Sequence, residues 1–221
     1  MFILINKPPG PTSHDIINQL RRLTGEKRIG HAGTLDPFAE GLLICAIGRE
    51  STRKINNFVK LDKGYLATLK LGLTSDTYDC TGHISEPRGY RHLTKKLISA
   101  ALQKFIGEQF QTPPAFSAKK INGKKAYQLA RQGKEFSLKP NKITIYKLQL
   151  KSYSPRAKTL KIEVCCSSGT YIRSLAHDLG QSLGCGAILE KLIRTQIGQY
   201  NLKKAVSPDR LTPDNWRDFV I

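Results

Sequence analysis

Two stretches of alternating apolar and polar residues constrain the fold of this chain most strongly. Residues 65–71 read YLATLKL, and residues 160–166 read LKIEVCC. Apolar side chains at every second position predict strands with one buried face. Apolar residues spaced three or four apart over 16–23, 93–106 and 172–183 predict helices. Because strands and helices mix without a regular βαβ order, we predict an α+β fold.

Local signals define the ends of several of these elements. The run FILI at 2–5 predicts a short buried strand, which the following Lys and Pro residues end. Thr12 or Ser13 is suited to cap the first helix, and Gly25 to end it. In the helix predicted over 93–106, we expect four side chains to point inward: Leu97, Ile98, Ala101 and Phe105.

The charge of the chain is its strongest global feature. Among 221 residues, 36 Lys and Arg residues face 17 Asp and Glu residues, which gives a formal net charge of +19. A charge of this size attracts polyanions, so a nucleic acid is the favoured partner. An anionic membrane surface and a basic protein without a polyanionic partner are the alternatives.

The cysteines and the N-terminus bear on the cellular compartment. Five cysteines form no C-x-x-C pair, which argues against a disulfide framework or a zinc site and favours reduced thiols in a cytosol. No signal peptide or membrane span is recognisable. Neither GxxxxGK[ST] nor GxGxxG occurs, and the scattered histidines suggest no metal site. We therefore expect a cytoplasmic protein without a metal or cofactor.

Residues 117–142, called the basic segment below, differ from the rest of the chain. They are dense in Lys and Arg and poor in core residues, with Tyr127 and Phe136 between the charges. Such a segment is able to follow a phosphate backbone and to stack on bases. A solvated helix face explains the same pattern equally well.

The stretch GHAGTLDPFAEGLL, residues 30–43, contains the first candidate for chemistry. Asp36 precedes Pro37, as the N-cap of a helix would. The glycines at 30 and 33, however, allow close backbone approach or positive φ, which a cap does not require. A carboxylate held in this way could act as a nucleophile or a general base.

Two further residues have both a structural and a functional interpretation. Arg173 falls in the first turn of the helix that follows SSGTY, where the helix dipole disfavours a cation. A carboxylate or phosphate would compensate it, and a surface arginine is the alternative. Tyr65 starts its strand and serves either in packing or as a face for a flipped base.

Seven motifs, in this order along the chain, resemble those of one family. They are NKPPGPTSHD, GHAGTLDPFAEGLL, GYLATLKLG, TSDTYDCTG, PPAFSAKKINGKKAYQLARQG, CSSGTYIRSLAHDLG and CGAILEKLIRTQIG. Together they resemble the TruB family of bacterial tRNA pseudouridine-55 synthases, which are related to dyskerin. The likeness covers roughly residues 2–211. It implies the pseudouridine synthase fold, with a central mixed, mostly antiparallel sheet flanked by helices and loops.

The resemblance also implies roles for individual residues. Asp36 corresponds to the catalytic aspartate, Tyr65 to the tyrosine that stacks on the target base, and Arg173 to the arginine that pairs with the aspartate. Four residues correspond to substrate-binding positions: Lys7, His31, Tyr171 and Leu192. The basic segment resembles a thumb-like insertion that closes over RNA, in which we expect five RNA-binding residues: Lys119, Lys120, Lys124, Lys125 and Arg131.

The implied reaction converts uridine 55 in the T loop of tRNA to pseudouridine after base flipping. Attack at the ribose, attack at the base and a glycal route all remain open. The partner would be the T stem-loop of tRNA, without a membrane, and the enzyme a monomer. We expect a catalytic domain at 1–211 and a short tail at 212–221, without the PUA-type domain that many bacterial members carry. Ala32 stands where Thr is common.

Three other functions fit parts of the sequence. An RNA-folding module would bind and release the T arm without chemistry, although the presence of all three catalytic positions argues against it. The same chemistry could act on another RNA. A nucleotide hydrolase with an aspartyl nucleophile would need a carboxylate cluster, and only Asp76 and Asp79 come near to one.

Overall fold

The computed structural model describes residues 1–86, 93–121 and 123–221. Its helices are α1 (Ser13–Thr24), α2 (Arg49–Val59), α3 (Lys95–Gln103), α4 (Ala126–Arg131) and α5 (Ile172–Ser182). Its strands are β1 (Phe2–Lys7), β2 (Ile29–His31), β3 (Glu40–Ile47), β4 (Lys63–Leu71), β5 (Thr74–Ser75), β6 (Ile84–Ser85), β7 (Gly107–Gln111), β8 (Lys120–Ile121), β9 (Lys124–Lys125), β10 (Asn141–Ser154), β11 (Thr159–Cys166), β12 (Ala187–Ile197) and β13 (Tyr200–Asn201).

The chain divides into two compact units. The first comprises Met1–Leu66 and Leu192–Ile221, and the second comprises Ala67–Lys191. The chain passes between them within β4 and within β12. The β-structure is mixed and mostly antiparallel, and helices accompany the strands in both units. The predicted α+β class is therefore confirmed.

In the first unit, β3 is the central strand. β1 and β2 pair with it in antiparallel fashion, and β12 pairs with it in parallel, with Arg194 opposite Gly41. The α1 side chains Ile16, Ile17 and Leu20 pack into the core with alternate residues of β1. Trp216, near the C-terminus, is buried in the same cluster. This packing fixes the ends of β1, β2 and β3, which flank Asp36.

In the second unit, the long strand β10 lies between β11 and β7, antiparallel to both. Helix α3 packs against β10. The helix is shorter than predicted and begins after Thr94, whose hydroxyl accepts from the backbone N–H of Leu97. Ile98 and Ala101 point inward as predicted, but Leu97 is 56% exposed. The buried stripe of α3 instead continues through Leu102.

The remaining predicted ends agree with the structure. Thr12 caps α1, in a reciprocal capping box with Asp15, and Gly25 ends the helix at φ 73°. The basic segment forms the β8–β9 hairpin and α4, and its last two residues belong to β10. None of the helices in the described part of the chain combines the length and apolar character that crossing a bilayer requires.

Candidate active site

Asp36 lies in a turn between β2 and β3, not at the start of a helix. Pro37 and Phe38 form the turn, and β3 begins at Glu40. The backbone N–H of Ala39 donates to the Asp36 carbonyl over 3.1 Å, which closes the turn. The interpretation of Asp36 as a helix N-cap is therefore wrong. Residues 33–37 are called the Asp36 turn below.

Hydrogen bonds to the main chain hold the Asp36 turn on both sides of the aspartate. The Ser13 hydroxyl, buried at the start of α1, accepts from the Leu35 N–H over 2.9 Å and donates to the Leu35 carbonyl over 3.1 Å. The Gly10 N–H donates to the Pro37 carbonyl over 2.8 Å. The backbone immediately before and after Asp36 is thus fixed, while the residue itself is only partly buried.

Lys7, at the end of β1, is fully buried beside this turn. Its ammonium donates to the carbonyls of Pro8 (2.8 Å), Pro11 (2.7 Å) and Pro37 (3.2 Å). Burial lowers the pKa of Lys7 to about 8, against an opposing effect of the Asp36 carboxylate. A protonated Lys7 in turn favours the ionised form of Asp36.

Arg194, on β12, is a site residue that sequence reasoning missed. It is 2% exposed, and its guanidinium donates to the carbonyls of Gly33 over 3.0 Å and Leu42 over 2.7 Å. It also lies 3.5 Å from the Thr34 carbonyl. These acceptors are 152 to 161 residues away along the chain, so no local pattern could have indicated the contact.

Three of the predicted residues lie around Arg194 or on its strand. Tyr65 on β4 is 8% exposed, and its side chain interacts electrostatically with Arg194. The pKa of His31 is lowered, mainly by burial and further by the charge of Arg194. Leu192, two residues before Arg194 on β12, is buried. The first unit therefore brings Lys7, Asp36, His31 and Tyr65 into one electrostatic environment.

Arg173 lies in the first turn of α5, as predicted, and is nearly buried. Its guanidinium lies 3.4 Å from the carboxylate of Asp79, which is also buried. It donates to the carbonyls of Thr77 (3.3 Å) and Phe116 (3.0 Å) as well. Asp79 is thus a compensating carboxylate, from the motif TSDTYDCTG. The pairing of Arg173 with Asp36 stays a prediction.

Tyr171 precedes α5 and is held by its backbone. The side-chain amide of the buried Gln111 accepts from the Tyr171 N–H over 2.8 Å and donates to its carbonyl over 3.1 Å. The Ser174 hydroxyl donates to the Thr112 carbonyl over 2.8 Å. These bonds fix the start of α5, and hence Arg173, against the end of β7.

The basic segment presents most of its predicted RNA-binding residues to solvent. Lys124, Lys125 and Arg131 are exposed. Lys119 instead donates to the Lys139 carbonyl and to the Asn141 side chain over 2.7 and 2.6 Å. The side chain of Lys120 lies outside the described residues.

One of the two aromatic rings in this segment, that of Tyr127, already has charged neighbours. The Tyr127 ring has the cationic groups of Lys125 and Arg131 each 5.6 Å from its centre. Stacking of a base on Tyr127 would therefore compete with these two cations.

Comparison with protein families and with known proteins gives a consistent result. Residues 21–172 match the family described as TruB family pseudouridylate synthase (N terminal domain). Residues 173–218 match the tRNA pseudouridylate synthase B C-terminal domain. Together the two matches cover most of the chain.

Curated relatives named tRNA pseudouridine synthase B are similar over nearly the whole chain. The protein from Prochlorococcus marinus (strain SARG) is 44% identical over 97% of this chain and 68% of its own length. That from P. marinus (strain NATL2A) is 46% identical over 88% of this chain and 62% of its own. For Aquifex aeolicus (strain VF5) the values are 42%, 99% and 76%. The chain thus spans between 62% and 76% of the length of these relatives.

Solved structures agree with this likeness at the level of the fold. A structure described as "Crystal Structure of a Cbf5-Nop10-Gar1 Complex" matches all of this chain and 56% of the other, with a TM-score of 0.75 and 26% identity. A structure of an archaeal box H/ACA sRNP Nop10-Cbf5 complex matches all of this chain and 56% of the other, with a TM-score of 0.71 and 25% identity.

Proposed function

This chain belongs to the TruB family of pseudouridylate synthases, and we propose that it isomerises uridine 55 in the T loop of tRNA to pseudouridine with Asp36 as the nucleophile. The observation that carries the proposal is the Asp36 turn, in which buried donors hold the backbone on both sides of one carboxylate. A carboxylate fixed in this way needs little reorganisation when it attacks.

The reaction is an isomerisation, so its atoms balance without a co-reactant. The N1–C1′ bond of the nucleotide breaks, the base turns, and a C5–C1′ bond forms. The hydrogen at C5 is lost to solvent, and N1 gains a proton. Asp36 supplies the nucleophile, and the base lies against Tyr65 and Leu192, both of which are largely buried.

A uridine in a folded loop has to be flipped out before it can reach a partly buried carboxylate. The net charge of +19 supports binding of the surrounding phosphates. In this proposal the exposed cations of the basic segment contact the T stem-loop, and the enzyme acts as a monomer. Charge supplies affinity, whereas the geometry of the Asp36 turn supplies the chemistry.

The test is release of tritium from a tRNA transcript labelled at C5 of its uridines. We expect close to one tritium released per transcript, and none from a transcript with cytidine at position 55. Release from the cytidine transcript would contradict the assignment of the target. Binding without any release would instead indicate an RNA-binding module.

Two matched substitutions test the role of Asp36. Asp36→Asn should lower kcat by at least about a thousandfold and leave RNA binding intact, because an essential nucleophile is lost. Asp209→Asn makes the same change at an exposed aspartate of the first unit and should leave kcat unchanged. Near-normal turnover by Asp36→Asn would overturn the assignment of the nucleophile.

A further inference from the structure

Arg194 is the largest of the fully buried side chains in the described part of the first unit. Burial lowers its pKa, but a guanidinium remains charged in proteins. A buried cation is costly unless its donors are satisfied. The oxygens that accept from it therefore reveal what this residue holds in place.

The donors of Arg194 divide between two elements. Its Nη2 contacts Gly33 and its Nη1 contacts Thr34, the residues three and two positions before Asp36. Its Nε contacts the carbonyl of Leu42 on β3. One rigid planar group thus holds the start of the Asp36 turn against the strand that follows the turn.

The same guanidinium also interacts electrostatically with the side chain of Tyr65. Because an arginine has only donors, the Tyr65 oxygen is the one atom of the phenol that can accept from it. The Asp36 turn and Tyr65 therefore share one buried cation.

The backbone of Arg194 is as tightly placed as its side chain. Gly41 lies opposite Arg194 in the parallel β3–β12 pairing. Gly41 has φ +108°, and a Cβ atom on it would lie 2.4 Å from the Arg194 carbonyl oxygen. A glycine is therefore required for the close approach from which Arg194 reaches the turn.

We infer that Arg194 is a positioning residue, which holds the Tyr65 hydroxyl and the Asp36 turn in one fixed relative geometry. The inference rests on the proposed function, because it assigns Arg194 a part in that same site. Arg194 acts through Tyr65 and the main chain of the turn. A lysine would keep the charge but lose the planar fork that contacts several acceptors at once.

The kinetic test compares Arg194→Lys with a core control on the same strand. Ile197→Ala removes a fully buried side chain of β12 and destabilises the fold without altering the hydrogen bonds of Arg194. We expect Arg194→Lys to lower kcat by about tenfold or more, with KM changed by less than about threefold, because a small misplacement of reacting groups costs rate. A kcat no lower than that of Ile197→Ala, at equal folded fraction, would refute the inference.

A second measurement does not depend on turnover. Removal of a cation that interacts with a phenol should raise the pKa of that phenol. Tyrosine absorbance is titrated for the native protein and for Arg194→Met, and in each case the curve of the same protein carrying Tyr65→Phe is subtracted. The Tyr65 titration should move to higher pH in Arg194→Met. An unmoved curve would show that Arg194 does not hold Tyr65.

The two measurements separate the possible failures. If the native protein releases no tritium but the Tyr65 titration moves as expected, the proposed function is wrong while the contact between Arg194 and Tyr65 stands. If tritium is released and Arg194→Lys keeps full kcat, the function stands and the positioning role is wrong.

Discussion

The Asp36 turn and the basic segment present charge in opposite ways. In the Asp36 turn, two buried cations donate to main-chain carbonyls around a single carboxylate. In the basic segment, Lys124, Lys125 and Arg131 face solvent. Fixed, buried donors orient a reacting group, whereas exposed cations act over a distance and are screened by salt. The Asp36 turn therefore depends on the positions of its donors, whereas the basic segment depends on how much charge it carries.

A pair of glycine substitutions, one beside Arg194 and one in the basic segment, should show the largest difference in the free energy of unfolding. Gly41→Ala, beside Arg194, places a Cβ against backbone at a positive φ. It should cost about 3 kcal/mol or more of the free energy of unfolding, because strained backbone and overpacking each contribute about 1–3 kcal/mol. Gly133→Ala, in the basic segment, also has a positive φ but meets nothing within 4 Å.

The control should therefore cost only the backbone strain, about 1–2 kcal/mol. Urea unfolding of both variants measures the difference. Equal losses would show that the close approach of Gly41 to Arg194 adds nothing to stability.

Removal of exposed charge tests the part of the basic segment in RNA binding. Replacing Lys124, Lys125 and Arg131 with Gln should weaken RNA binding and flatten its salt dependence. Each lost phosphate contact lowers the slope of log affinity against log salt by about 0.7–0.9. Saturating RNA should restore kcat, since we propose that the reaction takes place at the Asp36 turn.

The matched control removes the same charge elsewhere in the second unit. Lys95, Lys96 and Lys104, which are exposed around α3, are replaced with Gln. If both triple variants change the salt slope equally, net charge rather than the basic segment governs RNA binding.

The last prediction concerns Lys7, whose pKa is lowered to about 8 by burial. Between pH 8 and about 10.4, the usual pKa of a lysine, the unfolded chain binds more protons at this residue than the folded protein. The contribution of Lys7 to the free energy of unfolding should therefore rise with pH across this window. The free energy of unfolding is measured with denaturant across this pH range for the native protein and for Lys7→Met. The difference between the two values gives the contribution of Lys7. A difference that stays flat or falls would contradict the lowered pKa.

Local sequence signals predicted those elements whose cause is local. Thr12 and Gly25 predict the two ends of α1, where the structure has a capping box and a positive φ. The alternation of apolar and polar residues predicts β4 and β11. The helical spacing of apolar residues over 93–106 correctly predicts a helix, but it does not correctly predict all of its buried side chains. Leu97 is exposed because the side that meets β10 runs through Ile98, Ala101 and Leu102.

The candidate site was predictable only in part, for a related reason. Asp36 stood out because glycines surround it and a motif resembled a family. Arg194 did not stand out, and Asp79 was considered only with Asp76 as a carboxylate cluster. The contacts that matter at the site, from Arg194 to the Leu42 carbonyl and from Arg173 to Asp79, join residues that are distant in sequence. A carbonyl is present in every residue, so it leaves no trace in the sequence.

The hydrogen bonds that hold the Asp36 turn have a consequence for how the sequence can drift. Lys7, Ser13 and Arg194 bond to main-chain atoms of Gly33, Thr34, Leu35 and Pro37, not to side chains of those residues. Substitution of the exposed Thr34 side chain would therefore leave these bonds in place. A residue such as Thr34, which contributes only its main chain to these bonds, can therefore be replaced more readily than Lys7 or Arg194, whose side chains make them.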